Sequence, residues 1–383
     1  MLVYFRADAS LQIGSGHIMR CLSLAEQLRK QGADVLFLCR DLEGNLAVYL
    51  TGKGYHVVML PAQNESGTKA ENLGSDINPA ERFYTGSPPH ESWLGVPWSV
   101  DRDQTIVRLQ EETRKVDWFI IDHYALDAKY EQAIRPYIGK LMVIDDLADR
   151  DHACDLLLDH NYYADMGSRY EGWLPGSCRT LLGPSYALLR LEFREAKASA
   201  VRRDGQVRNI LLSFGGVDLT NETLKALYAL QPLVRHDMQI EVILGKLNPH
   251  AEAVAELCQQ IPGCRVYVNV DNMTEFMAGV DLAIGAGGTT TWERCCLGLP
   301  SVIITTAGNQ ERLTEHIART DAICYLGKSD EVTPPQIREA VERIMRSPQA
   351  YLHMSACAAA LVDGLGTERV VKVLKELREG LGV

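Results

Sequence analysis

The stretch RADASLQIGSGHIMRC, residues 6–21, sets a histidine directly after a Gly-x-Gly turn, where a strand-like run hands over to a helical one. An imidazole there could take a proton, which makes His17 a candidate general base. Gly14, Ser15 and Gly16 let the backbone approach a ligand closely, and a helix start offers unpaired N–H groups to an anion. The helix N-terminus also disfavours imidazolium, which keeps the ring available as a base. Read alone, however, the same residues fit a tight turn followed by an ordinary first helical residue. Neither a dinucleotide fingerprint nor a P-loop is present: Met19 replaces the third glycine, and no Lys-Ser/Thr follows.

Further polar residues follow other strand candidates. Asp8 follows the first, Asp122-His123-Tyr124 another, and Asp145-Asp146 a third. In a parallel sheet all would emerge on the edge that carries His17, where open α/β sheets bind ligands. Such a set could hold a divalent cation or orient a base. Asp is also a good helix N-cap, so each reads singly as a cap. As a set converging on one edge, they point to some catalytic use. The pairs Asp151-His152 and Asp159-His160 carry less weight.

The second half has SFGGVD (213–218), with Gly216 and Asp218, and GAGGTTTWERCCLGLP (285–300), with Gly287 and Gly288. Both place a glycine pair between a strand and a helix. Thr289 or Thr290 would cap the helix that carries Glu293. A carboxylate one turn into a helix could accept hydrogen bonds from a ribose diol while the helix start faces phosphate. Thr290 and Glu293 also have capping-box spacing, which gives Glu293 a purely local alternative.

The elements that must position these residues are short apolar runs alternating with helical patterns. Strands are expected at 2–7, 34–39, 56–60, 117–122, 141–145 and 155–158, and then in NILLSFGG, IEVILG, RVYVNV, LAIGAGG, SVIITT and ICYLG. In HIMRCLSLAEQLRKQG, residues Met19, Leu22, Ala25 and Leu28 share a face and Gly32 closes the helix. The fold class is α/β, with two doubly wound Rossmann-like domains, 1–200 and 201–383. The charged stretch 194–208 lies at the junction, and two or three helices are expected from 334 to 380. Residues 62–104, rich in Gly, Pro, Ser and charge, show no periodicity, although Trp93 and Trp98 favour partial order.

The 383 residues carry a formal net charge of −11, which argues against a nucleic-acid or anionic-membrane surface. No apolar run reaches the ~18 residues of a membrane span, and MLVYFRADAS reads as a strand rather than a leader. The ten cysteines include no Cys-x-x-Cys pair, so reduced thiols in a cytoplasmic protein are expected.

RADASLQIGSGHIMRCLSLA, IIDHY, SFGGVD and GAGGTTTWERCCLGLPSVIITTAGNQ together resemble the UDP-2,4-diacetamido-2,4,6-trideoxy-β-L-altropyranose hydrolases of pseudaminic acid biosynthesis. The resemblance runs from residue 1 to about 325 by motif order. It departs from compact family members in the 62–104 segment and at the extended carboxyl end. It implies a glycosyltransferase-B fold related to MurG, with no metal and no cofactor. His17 matches the catalytic base that activates water, and Tyr124 an active-site tyrosine. Asp8 matches by position, and Gly14, Ser15 and Gly16 would lie against the diphosphate. Gly216, Asp218, Gly287, Gly288, Thr289, Thr290, Glu293 and Asn309 would bind the substrate from the second domain, with Glu293 on the ribose. The partner implied is a small-molecule UDP-amino sugar, with no nucleic acid, no stable membrane association and a monomeric chain. Alternatives on the same motifs are a MurG-like UDP-sugar glycosyltransferase, a non-hydrolysing epimerase and a non-catalytic nucleotide-sugar binder.

Overall fold

In a computed structural model, which describes residues 1–62, 90–199 and 203–380, the chain divides into two compact units. The first is Met1–Leu158 with Tyr170–Thr180, and the second is Asp159–Arg169 with Leu181–Val383. The helix Leu191–Ser199 packs on Met273–Gly279 and Thr290–Cys296, all within the second unit.

Seven strands form the first sheet: β1 (Leu2–Ala7), β2 (Asp34–Arg40), β3 (His56–Leu60), β4 (Val116–Asp122), β5 (Ile138–Ile144), β6 (Leu156–Asp159) and β7 (Arg179–Leu182). Their order is β3-β2-β1-β4-β5-β6-β7, with parallel pairing from β3 through β6. The connection therefore reverses direction between β1 and β4, and the carboxyl ends on either side of such a reversal leave a crevice for ligands.

The helix Gly16–Lys30 follows β1. It buries Ile18, Cys21, Leu22, Leu24, Ala25 and Leu28 and places Arg29 and Lys30 in its last turn, where cations suit the helix dipole. A helix at Trp98–Glu111 begins inside the segment for which no periodicity was expected and runs beyond it. Its buried residues are Asp101, Thr105 and Leu109, so a carboxylate and a hydroxyl stand where apolar residues would have marked it. Residues 63–89 of that segment lie outside the described residues.

The second sheet has six strands: β8 (Asn209–Ser213), β9 (Gln239–Leu244), β10 (Cys264–Val268), β11 (Leu282–Ala286), β12 (Ser301–Thr305) and β13 (Cys324–Lys328). All pair in parallel in the order β10-β9-β8-β11-β12-β13, which repeats the reversal between β8 and β11. Alternate residues fall into different cores. Ile210, Leu212, Val242, Ile284 and Ile304 pack on one face, and Leu211, Ile243, Ala283 and Ile303 on the other. Both faces are thus covered, and each fully buried Leu or Ile contributes about 1.5–3 kcal/mol. Helices Pro334–Arg346, Pro348–Leu361 and Gly366–Arg378 complete the unit.

The expectation of reduced thiols needs correction. Cys258, in the helix Ala251–Gln259, is disulfide-bonded to Cys264 at the start of β10, and the other eight cysteines are free. The turn between helix and strand brings residues six apart together, a spacing outside the Cys-x-x-Cys pattern. No helix among the described residues is long and apolar enough to cross a membrane.

Candidate active site

His17 stands in the first turn of the helix after β1, at the sheet edge where the strand order reverses. The preceding turn is fixed by Gly14, whose N–H donates to the Ser10 carbonyl at 2.9 Å and whose φ of +77° suits glycine. Ser15 is the N-cap, and its side chain makes no cap bond. Ala7 of β1 lies in register with Asp122 of β4, so the residues after these two strands emerge side by side.

Strand alternation sorts those residues onto two faces. On the face of the Gly16–Lys30 helix, Asp122 Oδ1 lies 2.5 Å from His17 Nδ1. Arg20, one turn beyond His17, grips the same carboxylate with Nε and Nη2, each at 2.6 Å. Its Nη1 donates to Asp146 Oδ2 at 3.0 Å. Burial would raise Asp122, but Arg20 and then His17 hold it well below the usual carboxylate range. An ionised Asp122 can only accept, so Nδ1 of His17 carries a proton, and in the neutral ring Nε2 is the acceptor. Tyr124 stacks edge-on against His17 at 4.6 Å between ring centroids, and its hydroxyl donates to Asp146. Burial, and then Asp146, raise the phenol well above its ordinary value, so it stays protonated.

Asp8 turns to the opposite face. It accepts from Arg6 Nη1 and from the Arg40 backbone N–H, each at 2.6 Å, and its other oxygen lies 3.4 Å from His123 Nε2. Arg6 also holds Asp101 at 2.6 Å, and Arg40 donates to Asp101 as well. This fully buried network ties β1 and β2 to the helix Trp98–Glu111. Asp8 and His17 are therefore not brought together; His17 meets Asp122, Arg20 and Tyr124, with Asp146 behind them. Asp145 pairs with Arg150 at 2.8 Å.

In the second unit the glycine loops also end strands at the reversal point. Gly216 follows β8, and a Cβ on Gly245, after β9, would fall 1.9 Å from the Gly216 carbonyl oxygen. That approach admits only glycine at 245. Asp218 is committed locally: its carboxylate accepts from the N–H of Glu222 and of Thr223 and from the Thr223 hydroxyl, capping the helix Glu222–Leu230. Gly287 and Gly288 follow β11, and Thr289 is the N-cap of the helix Thr290–Cys296 without a side-chain cap bond. The Thr290–Glu293 capping box is not formed. Glu293 instead lies 3.9 Å from Arg190 with its side chain 19% exposed. Burial pushes its carboxyl up to about 7 despite Arg190 and Arg294. Asn309 is exposed in the first turn of Gly308–Ala318.

Residues 211–372 match the family model for the glycosyltransferase family 28 C-terminal domain. Over 98% of its length the chain superposes on 99% of the Acinetobacter baumannii MurG crystal structure, with a TM-score of 0.64 at 14% identity. The chain has the glycosyltransferase-B fold. Within that fold it resembles the UDP-2,4-diacetamido-2,4,6-trideoxy-β-L-altropyranose hydrolase of Campylobacter jejuni, at 28% identity over 321 residues, covering 83% of this chain and 97% of that protein. It is also 23% identical to the spore coat polysaccharide biosynthesis protein SpsG of Bacillus subtilis over 97% of both chains.

Two residues of this candidate site escaped the motifs. Arg20 could have been found, because it stands three positions after His17 on the same helical face. Trp93, whose ring centroid is 6.3 Å from that of His17, could not, because nothing local links residue 93 to residue 17.

Proposed function

We propose that this chain is a hydrolase that releases UDP from the anomeric carbon of a UDP-linked amino sugar of the 2,4-diacetamido-2,4,6-trideoxy-β-L-altropyranose class. The observation that carries this reading is the 2.5 Å pairing of His17 Nδ1 with Asp122, which leaves Nε2 as a proton acceptor at the ligand-binding edge of the sheet. Nε2 takes a proton from water as the water oxygen bonds to C1. The bond from C1 to the phosphate oxygen breaks, and its electron pair leaves with UDP. UDP is a stable anion, so no acid is strictly required for its departure. Asp122 stabilises the imidazolium as it forms, and Arg20 keeps Asp122 ionised. The glycine loops at Gly216 and at Gly287–Gly288 supply backbone N–H groups for the nucleotide, with Glu293 on the ribose. Asp8 acts as a structural residue of the buried network behind β1, and Asp218 as a helix cap. The resemblance to the Campylobacter enzyme supports this substrate class and, with it, a place in pseudaminic acid synthesis.

The family 28 match favours one rival, a transferase that passes the sugar to an acceptor. Incubation with the UDP-amino sugar alone separates them. Free UDP and reducing sugar appearing together without acceptor is the expected result, whereas UDP release that waits for an acceptor supports the transferase. Activity is also expected to survive exhaustive chelation, since Arg20 already engages both Asp122 and Asp146. Loss on EDTA with recovery on Mg²⁺ would make Asp122, Asp145 and Asp146 metal ligands instead.

A further inference from the structure

Three more rings gather beside His17. Trp93 stands edge-on to it at 82°, His90 lies 4.5 Å from Trp93, and Tyr124 lies 5.4 Å from His90 and 5.6 Å from Trp93. Tyr124 is buried, whereas His90 and Trp93 are half-buried and keep surface to offer a ligand. His90 and Trp93 come from the short turn of helix at Glu91–Leu94 and the residue before it. Burial lowers the proton affinity of His90, and the charge of Arg150 acts the same way against Asp149 and Asp146. The strongly charged groups near His17 are turned on one another: Arg20 with Asp122 and Asp146, and Arg150 with Asp145 and Asp149. What remains toward Trp93 is an aromatic surface beside the base. Such a surface suits the C–H face and methyl groups of a sugar.

We propose that Trp93 and His90, with Tyr124, form the wall that seats the N-acetylated, 6-deoxy sugar and so sets which sugar is presented to His17. This rests on the UDP-sugar hydrolase reading above and adds a specificity element from a segment that neither the motifs nor that reading assigned. Trp93 and His90 act by contact with the sugar and take no part in proton transfer.

The test uses the full chain carrying His17→Gln, which slows cleavage enough for binding to be measured first, and compares binding of UDP-2,4-diacetamido-2,4,6-trideoxy-β-L-altropyranose with binding of UDP. Adding Trp93→Ala is expected to weaken the UDP-sugar roughly tenfold while changing UDP by less than about twofold. Trp93→Phe is expected to restore most of the loss. The sugar-dependent quenching of tryptophan fluorescence should vanish in that Phe variant. Unchanged UDP-sugar affinity in Trp93→Ala, an equal loss for UDP, or a parent protein that binds the UDP-sugar no better than UDP would each overturn the wall. The hydrolase reading fails on a different measurement, namely a wild-type chain that binds the sugar and releases no UDP.

Discussion

With Nδ1 of His17 bonded to Asp122, and Asp122 held by two nitrogens of Arg20, a proton accepted at Nε2 is stabilised without Asp122 itself becoming protonated. His17→Gln is therefore expected to lower kcat about 10²–10⁴-fold with UDP affinity nearly unchanged, measured by steady-state kinetics and by calorimetry. An active His17→Gln variant would reduce His17 to a structural residue. Asp122→Asn is expected to lower kcat by about 10²-fold or more and to alter the pH profile. The double variant should be little worse than His17→Gln alone, because the two act as a unit. Asp8→Asn should behave differently. It leaves Arg6 and Arg40 under-compensated in a buried network, which costs roughly 3–5 kcal/mol of stability, while the molecules that remain folded keep most of their turnover. Denaturant melts beside specific activity per folded chain check this; a stable but inactive Asp8→Asn would return Asp8 to the chemistry. His17 and Tyr124 were legible because both sit next to strand ends in short, specific motifs. The separation of Asp8 from His17 was not, because it depends on which face each side chain takes and on Asp101, far along the chain in the helix Trp98–Glu111.

Among elements, the helix Thr290–Cys296 shows how a local rule yields to packing. Spacing alone allowed a capping box, yet Glu293 lies toward Arg190, and a buried carboxyl pushed up to about 7 gains no compensating backbone bond. The folded chain holds that proton up to about pH 7, whereas the unfolded chain releases it near 4.5. Its contribution is thus fully present below pH 4.5 and is lost as pH rises toward 7. Glu293→Gln should flatten stability across that window, and urea midpoints measured from about pH 4.5 to 7.5 test it; an unchanged slope would place the titration elsewhere. If Glu293 also holds the ribose, Glu293→Ala raises KM more than it lowers kcat, since that contact is made equally in ground and transition states. Every strand expected from β-branched runs is present to within a few residues. The strand β7 and the helix Trp98–Glu111 were not legible, the first because RTLL carries only two apolar residues and the second because its inward face carries Asp101 and Thr105.

At the scale of the whole molecule, the alternation of strands and helices was enough for two doubly wound domains, because covering both faces of a parallel sheet leaves few other solutions. Cysteine pairing was not readable, since proximity of Cys258 and Cys264 depends on the turn between a helix and β10. Thiol titration of the denatured, unreduced chain should count eight free thiols, rising to ten after reduction. Ten before reduction would mean that the pair is open in the purified protein. The proposed mechanism turns on which bond breaks. A base that activates water toward C1 predicts inversion at the sugar and an intact pyrophosphate, as in inverting glycosidases. Attack on phosphorus would instead call for neutralisation of phosphoryl charge, commonly by a metal. Turnover of the UDP-amino sugar in ¹⁸O-water, followed by mass spectrometry of both products, decides between them. The prediction is label in the C1 hydroxyl of the released sugar and none in UDP; label in the phosphate, or UMP with a sugar 1-phosphate as products, would contradict it.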